Sequence, residues 1–437
     1  MLETKPLNFI EHIIETDLSA GLPPTSLRFR FPPEPNGFLH IGHTKALGIN
    51  FGLAKKYNAS VNLRFDDTNP SKEDQRFVDA IKKDIKWMGY SWSNETYSSD
   101  CFEQLYFWAV KLIKEQHAYI DPQNSSAIAI QKGTPTCPGT NSPYRNRPAE
   151  ESLALFETMK NGDSKEGDLV LRAKIDMSHP NMLMRDPIIY RVINKPHQRT
   201  QNKWRIYPMY DWAHGQCDYI EQISHSLCSL EFRPHRDLYV WFLTTIKSQC
   251  NVVEYKTIPK QREFARLNLS YTIMSKRKLF SLVEQNYVSG WDDPRMPTIS
   301  GLRRRGYTPN SIKNFISKVG VAKRDNVIDV SLLEFCVRED LNKSSTRAMA
   351  VLNPVLLKIV NYPQNKQEEL FFVDNPESKE PNTRPLTFNS ELYIEKEDFS
   401  TDPPLGFKRL SIGSEVRLKS GYIVKATCVE LDSSGNL

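Results

Sequence analysis

Long apolar runs are missing from this chain: no stretch approaches the roughly 18 consecutive apolar residues of a membrane-spanning helix, which argues against a helical membrane protein. The opening MLETKPLNFIEH has neither an apolar signal core nor a small-residue cleavage site, so a cytoplasmic protein is expected. Cysteine is scarce. The seven (Cys101, Cys137, Cys217, Cys228, Cys250, Cys336, Cys428) are odd in number, irregularly spaced and contain no C-x-x-C pair, which argues against a disulfide framework. Neither sign of charge dominates: 58 Lys and Arg against 52 Asp and Glu leave +6, a balance that suits a polyanionic partner without requiring one. Internal repeats and low-complexity tracts are absent too. What is present is a 437-residue chain with 39% hydrophobic residues, enough for a sizeable core and two or more domains.

The first hundred residues carry an α/β pattern. SLRFRF, 26–31, predicts a strand that ends in the stiff turn Pro32-Pro33-Glu34-Pro35-Asn36-Gly37, where fixed φ and the pre-proline restriction forbid helix. A helix from about His43 to Tyr57 follows from the spacing of Leu47, Asn50, Phe51 and Ala54, then a strand, SVNLRFDD, with Val61, Leu63 and Phe65 alternating. A second helix carries Phe77, Val78, Ile81, Ile85 and Met88 on one face, with Ser71 as expected N-cap. Strand, helix, strand in this order predicts a parallel nucleotide-binding sheet with its ligands at the carboxyl ends of the strands.

Later regions differ. Residues 121–150 are rich in Pro, Ser, Thr, Asn and Gly and predict turns within an insertion; strand signal returns at LVLRAKID, and the first sheet is expected to resume within 207–232, a segment containing Tyr207, Tyr210 and Asp211. From about 342 short alternating runs (PVLLKIVNY, SELYIEKEDF, EVRLKSGYIVKATCVEL) predict an antiparallel barrel or sandwich, ending at Ser433-Ser434-Gly435-Asn436-Leu437, where a turn normally leads to another strand.

Two constellations carry chemistry. His40-Ile41-Gly42-His43 stands at a helix start, where free N–H groups, a partial positive charge and a glycine without side chain favour a nucleotide phosphate. Alone, these four residues are equally an ordinary capping pair. Met274-Ser275-Lys276-Arg277-Lys278 is either a solvated basic loop or a mobile phosphate clamp in which Lys276 offsets charge on departing pyrophosphate. His214-x-x-Cys217 and His225-x-x-Cys228 offer four zinc-type ligands, but seven residues between the pairs is short for a knuckle, and no metal site is expected.

PPEPNGFLHIGHTKA at 32–46 and IMSKRKL at 273–279 resemble, in this order, the two signatures of class I aminoacyl-tRNA synthetases of the glutaminyl/glutamyl type. Similarity to the bacterial glutaminyl form extends through RFDDTNP, NSPYR, LRAKIDM, MRDPIIYR, KWRIYPMYDWAH, ISHSLCSLEF and GWDDPRMPTISGLRRRGY. The resemblance implies a multidomain α/β fold: a Rossmann-type catalytic domain (1–100 and 210–266) split by an acceptor-stem-binding insertion (101–209), a helical connective domain (267–341) and an incomplete anticodon-binding β-barrel (342–437). It implies ATP-dependent joining of L-glutamine to tRNA(Gln) through an adenylate, with Mg2+ accompanying ATP, in a monomer without membrane contact.

Carried onto this sequence, the resemblance assigns His40, His43 and Lys276 to catalysis. Glu34, Pro35, Asn36, Gly42, Arg266, Leu267, Met274 and Ser275 join them around ATP, with Glu34 near the terminal adenosine of the tRNA. Glutamine would be held by Arg30, Asp66, Tyr210, His214, Cys228 and Gln261, Asp66 taking the α-ammonium and Tyr210 the side-chain amide. Cys228 stands where glutamyl enzymes of the eukaryotic and archaeal type resemble a version with arginine; a neutral thiol leaves glutamate's charge unpaired and favours the amide. For tRNA the candidates are Pro135, Lys323, Arg347, Lys408, Arg409 and Arg417. Three positions depart from the pattern: Pro135 replaces a leucine wedge, Pro234 an aspartate that reads a base edge, and Lys419 an arginine. The chain also stops inside the first barrel, as a fragment or as a lineage that lost half of its anticodon reader. With Pro135 and Pro234 this raises the alternative of a truncated protein that holds tRNA without charging it, beside a second enzyme reading, a glutamyl-type or tRNA-modifying relative, against which Cys228 and the barrel segment speak.

Overall fold

The computed structural model describes residues 6–248, 257–378, 380–431, 433 and 437; Cys250 and the Ser434-Gly435-Asn436 turn lie outside them. The contacts divide the chain into two units, 1–336 and 337–437.

In the first unit a helix, α1 (Phe9–Ser19), precedes strand β1 (Arg28–Phe31), helix α2 (Ile41–Tyr57), strand β2 (Ser60–Phe65), helix α3 (Gln75–Trp87) and strand β3 (Asn94–Tyr97). Strands β1, β2 and β3 pair in parallel, so the expected half-sheet is present. Three local expectations are corrected. The first-turn residue of α2 is Ile41, with His40 as N-cap, so the helix starts two residues before His43. Asp74, not Ser71, caps α3, its carboxylate accepting from Arg76 N. Strand β2 is buried on both faces rather than alternating, because Asn62 and Arg64 point into the protein and find anionic partners there.

An insertion follows: helix α4 (Phe102–Lys114), strand β4 (Ala118–Asp121), helices α5 (Ser125–Gln131) and α6 (Ala149–Asn161), then strands β5 (Val170–Ala173), β6 (Ile188–Val192) and β7 (Ile206–Pro208). Its four strands form one antiparallel sheet in sequence order. Helix α5 breaks the expected loop at 121–150, its turn capped by Asn124. Tyr207 closes the insertion sheet and Tyr210 opens a helix, α7 (Tyr210–Ile220), so the parallel sheet resumes only at β8 (His225–Ser229). After helix α8 (Arg236–Ser248), β8 pairs in parallel with β9 (Lys260–Phe264) and lies beside β1, Ser224 N donating to Arg28 O at 3.0 Å. The sheet is thus rejoined across the insertion.

Two hydrophobic clusters support this unit. One joins α4, α6, α7, α8 and the insertion sheet around Trp108, Trp212 and Phe242; the other joins α1, α2, α3 and the parallel sheet around Phe29, Leu47 and Leu63. A short strand β10 (Asn268–Leu269) leads to helices α9 (Lys276–Glu284), α10 (Ile299–Arg304) and α11 (Pro309–Val319), whose Ile312 and Phe315 join the second cluster. Gly48 lets α11 close on α2: a Cβ there would stand 2.9 Å from Ile316 Cγ2.

In the second unit Pro354–Lys358 pairs antiparallel with Glu391–Glu395, Glu368–Val373 with Thr383–Phe388, and Glu415–Arg417 with Ile423–Lys425. Phe399–Ser400 and Leu410–Ser411 pair in parallel. Antiparallel strands are therefore found where alternation predicted them, but among the described residues they stay in two-stranded pairs and close no barrel.

Candidate active site

The proline turn after β1 delivers His40 to the N-terminus of α2. His40 Nδ1 accepts from Gly42 N at 3.1 Å, and His43 Nδ1 accepts from His40 N at 3.0 Å. An imidazole that accepts at Nδ1 carries its proton on Nε2 when neutral. Both rings are held neutral: burial, with the nearby Lys276 ammonium, pushes His40 down to about 4, and burial with His40 and Lys276 pushes His43 well below the usual range. The pair therefore presents two Nε2–H donors without charge. The sequence expectation placed both on one helix face; instead one is the cap and the other the first-turn residue that returns to it.

Residues that sequence reasoning had not singled out hold this turn. Ile41 N donates to Pro297 O and Ile299 N to Leu39 O, each at 2.8 Å, while Phe38 stacks on Trp291 with centroids 5.4 Å apart. Thr298 caps α10 and donates to Trp291 O at 2.6 Å. GWDDPRMPTIS had been noted only as part of the resemblance; its Pro and Thr were the available sign of a fixed turn.

The second motif meets the first. Lys276 Nζ donates to Asn36 Oδ1 at 2.8 Å, and Asn36 in turn donates to exposed Glu34. A Cβ added to Gly42 would stand 2.6 Å from Met274 Cε and 2.8 Å from His40 Cε1, so only glycine leaves this helix start open. Lys276 begins α9, and Leu279 anchors it in the interior, so the expected mobile loop is ordered helix from its lysine onward. Pro35 is buried in the turn, and Ser275 precedes α9 as an N-cap without a side-chain hydrogen bond. Arg266 is exposed with Glu231 at 3.6 Å, and Leu267 is buried.

Beyond Glu34, at the carboxyl end of β2, lies Asp66, whose Oδ1 accepts from Thr68 and Ser98 at 3.1 and 3.5 Å. Burial and the Glu34 carboxylate push it up to about 6. Tyr210 is in electrostatic reach of Asp66, Arg30 and Cys228; burial pushes its phenol well above the usual range. Its ring stacks on His214 at 4.8 Å and tilts against Phe232 at 5.3 Å. Cys228, half-buried, faces Arg262 O, and burial pushes its thiol up to about 12, so it stays neutral. Gln261 spends both amide hydrogens on Phe232 O and Glu263 Oε1, leaving its carbonyl to accept.

Arg30 is engaged within the protein on several sides. It is fully buried and donates to Asp218 Oδ1 at 3.1 Å, Leu227 O at 2.7 Å and Ser226 Oγ at 2.6 Å, with His214 Nε2 at 2.9 Å. Arg64 takes the same aspartate at 2.7 Å. Two guanidiniums hold Asp218 far below the carboxylate range despite its burial. His214, buried between them, is pushed down to about 3, first by burial. A neutral imidazole accepts at one nitrogen only, so it can accept from one of the two. Arg30 and His214 thus brace α7, and through it Tyr210, from below.

The four His and Cys of the zinc-like pattern are engaged separately: His214 as described, Cys217 with Cys101, His225 with Asp17 at 3.0 Å, and Cys228 with Arg262 O. Pro135 sits on an exposed loop whose carbonyls at 132, 134 and 137 converge on Arg185 Nη1. Pro234 O accepts from Asn181 at 2.7 Å. Lys323 lies 4.8 Å over the Phe9 ring, Arg347 pairs with Glu377, Arg409 with Asp398, and Lys419 lies 4.9 Å over Phe372; Lys408 and Arg417 are exposed.

Comparison with known proteins agrees with this geometry. Residues 26–343 match the catalytic domain of the class I tRNA synthetases (E and Q), and residues 345–437 match their anti-codon binding domain. The glutamine--tRNA ligase of Alteromonas mediterranea is 52% identical over 436 residues, covering 100% of this chain and 77% of that protein. That of Enterobacter sp. (strain 638) is 51% identical with the same coverage. Among solved structures, a glutamate tRNA ligase from Elizabethkingia meningosepticum in complex with its amino acid superposes with a TM-score of 0.53 over 72% of this chain and 70% of that one, at 17% identity, a likeness of fold.

Proposed function

From the premise that the chain belongs to the class I tRNA synthetases of the glutamate and glutamine type, we propose that it uses ATP to join glutamine to the 3' end of tRNA(Gln). The carrying observation is the contact of Lys276 with Asn36 across 240 residues, which unites the two motifs around one helix N-terminus.

In this reading the Nε2–H groups of His40 and His43 donate to triphosphate oxygens, and Lys276 offsets charge on the β- and γ-phosphates as pyrophosphate leaves. Glutamine's carboxylate oxygen bonds to the α-phosphorus while the bond to pyrophosphate breaks. A ribose hydroxyl of the tRNA, near Glu34, then bonds to the carbonyl carbon and AMP departs. No side chain forms a covalent bond. Asp66 receives the α-ammonium, and Tyr210 with the Gln261 carbonyl, through a water, reads the amide. The neutral Cys228 thiol offers nothing to a glutamate carboxylate.

Among the described residues no three His, Cys, Asp or Glu side chains cluster as a metal site, so Mg2+ would be carried on the phosphate oxygens of ATP. We assign the insertion at 101–209 to the acceptor stem and the strands after 342 to the anticodon. No described helix is long and apolar enough to cross a membrane. Charging of total tRNA with labelled glutamine, and separately with labelled glutamate, tests the proposal. Charging with glutamine alone is expected; charging with glutamate would overturn the selectivity assigned to Cys228, and charging with neither would favour a tRNA holder without turnover.

A further inference from the structure

Beside Asp66 stands a second buried carboxyl group with no assigned task. Glu73 belongs to the turn between β2 and α3, and its side chain is 4% exposed. Its Oε1 accepts from Asn69 N at 2.6 Å. Its Oε2 is buried and has no hydrogen-bond partner.

The surroundings of Oε2 explain why. Asp67 and Asp66 at the end of β2 and Glu34 of the proline turn bear on it electrostatically, and so does the Tyr207 phenol of β7. His197 Nε2 is 3.7 Å away, but that nitrogen donates to Asp67 O at 2.8 Å. His197 Nδ1 accepts from Arg199 N and Thr200 N at 3.1 and 3.2 Å, so the ring is neutral and its one N–H is spent. Arg199 turns to Ser99 and Asp100. Among the described residues no donor bonds Oε2, and with the Asp67, Asp66 and Glu34 carboxyl groups in electrostatic reach an ionised Glu73 is unfavourable.

We propose that Glu73 carries a proton in the free enzyme and releases it when the α-ammonium of glutamine enters, so that amino-acid binding is coupled to loss of one proton to solvent. The inference rests on the reading of Asp66 as the ammonium acceptor. An entering cation replaces the missing positive charge of the cluster; Glu73 then ionises and becomes a second counter-ion, and its proton passes to bulk water. Burial first, and the three neighbouring carboxylates, hold Glu73 up near 9 in the empty site, which agrees with this protonated form at neutral pH.

Calorimetry of glutamine binding at pH 7.5 tests it, using the full chain saturated with tRNA and a non-cleavable ATP analogue, in two buffers of different ionisation enthalpy. The apparent enthalpy should differ between the buffers by on the order of one proton released per glutamine. The E73Q variant, shaped like the protonated acid and so expected to fold, should release none and bind about tenfold more weakly, the equivalent of one pKa unit. An unchanged proton count in E73Q, or none in the wild type, overturns the proposal. Asp66→Asn separates the two readings: if it binds glutamine like wild type, the ammonium site itself is wrong, whereas if it loses binding while E73Q keeps the wild-type count, only the role of Glu73 falls.

Discussion

The two units solve stability in opposite ways. Residues before 337 supply nearly all of the buried side chains, charged ones included: Arg30, Arg64, Arg172, Arg185 and Asp218 are each at most 2% exposed. After 337 the buried hydrophobic residues are Phe372, Phe388 and Leu410, with Asn375 as the buried polar one, while Phe371 and Tyr393 are 64% and 65% exposed. The catalytic unit fixes its donors by surrounding them with paired charge, where each removed partner leaves a costly remainder. The second unit holds two-stranded pairs by backbone bonds and rim contacts, where single side chains matter little to stability and more to what they touch.

The sharpest way to break this contrast is Asp218→Asn. With one counter-charge gone, Arg30 lies buried without an anionic partner and Arg64 keeps only Glu221, and a loss of about 3–5 kcal/mol is expected in chemical unfolding of the first unit. Arg409→Ala, which removes an exposed pair with Asp398, should leave unfolding within about 0.5 kcal/mol of wild type. A comparable loss from both would erase the distinction. Next in size, Lys276→Ala should lower the single-turnover rate of adenylate formation by about 10^2–10^3 without shifting the melting temperature, since its ammonium is spent on charge that develops in the reaction.

The pH profile sharpens the comparison inside the catalytic unit. Asp66 must be ionised to receive an ammonium, and its carboxyl is held near 6, so in E73Q, where no Glu73 proton is released, kcat/KM for glutamine should fall about tenfold per pH unit only below about 6, whereas in the wild type the fall begins already below about 9. His40 stays neutral down to about 4, so the KM for ATP should show no matching limb between pH 6 and 7. An ATP limb near 6.5 beyond the titration of the γ-phosphate itself would mean that the histidines act as cations. The smallest effect is expected from Arg417→Ala: unchanged melting, with the slope of log tRNA affinity against log salt reduced by about one.

How much of this was legible in the sequence depends on how far each residue is from its partner along the chain. The helical spacing of Leu47, Phe51 and Ala54 and the alternation in PVLLKIVNY needed only neighbours, and helix and strand lie where those patterns put them. Arg64 could not be placed from a local pattern: Asp218, which draws it inward, is 154 residues away. The bond of Arg30 to the same aspartate was not legible for the same reason, its partner being 188 residues on. Ser71 was expected as the cap because serine fits the N-cap preference; aspartate fits it as well, and the bond from Arg76 N assigns the cap to Asp74. The chemistry of His40, His43 and Lys276 was legible by residue type, but which backbone N–H each imidazole accepts, and hence which nitrogen keeps its proton, required the turn geometry.

The seam between β1 and β8 also orders events in time. Asp17 of α1 is held by His225 and Lys260, 208 and 243 residues further along. During synthesis from the N-terminus the first strands emerge long before the elements that flank them, and the insertion with its four-stranded sheet is made in the interval, while its apolar cluster is completed by α7 and α8. Until β8 is made, β1 keeps an unpaired edge. Such non-local closure slows folding, and it makes the interval between the translation of Phe31 and that of Phe264 the period in which this chain is most exposed to misassembly.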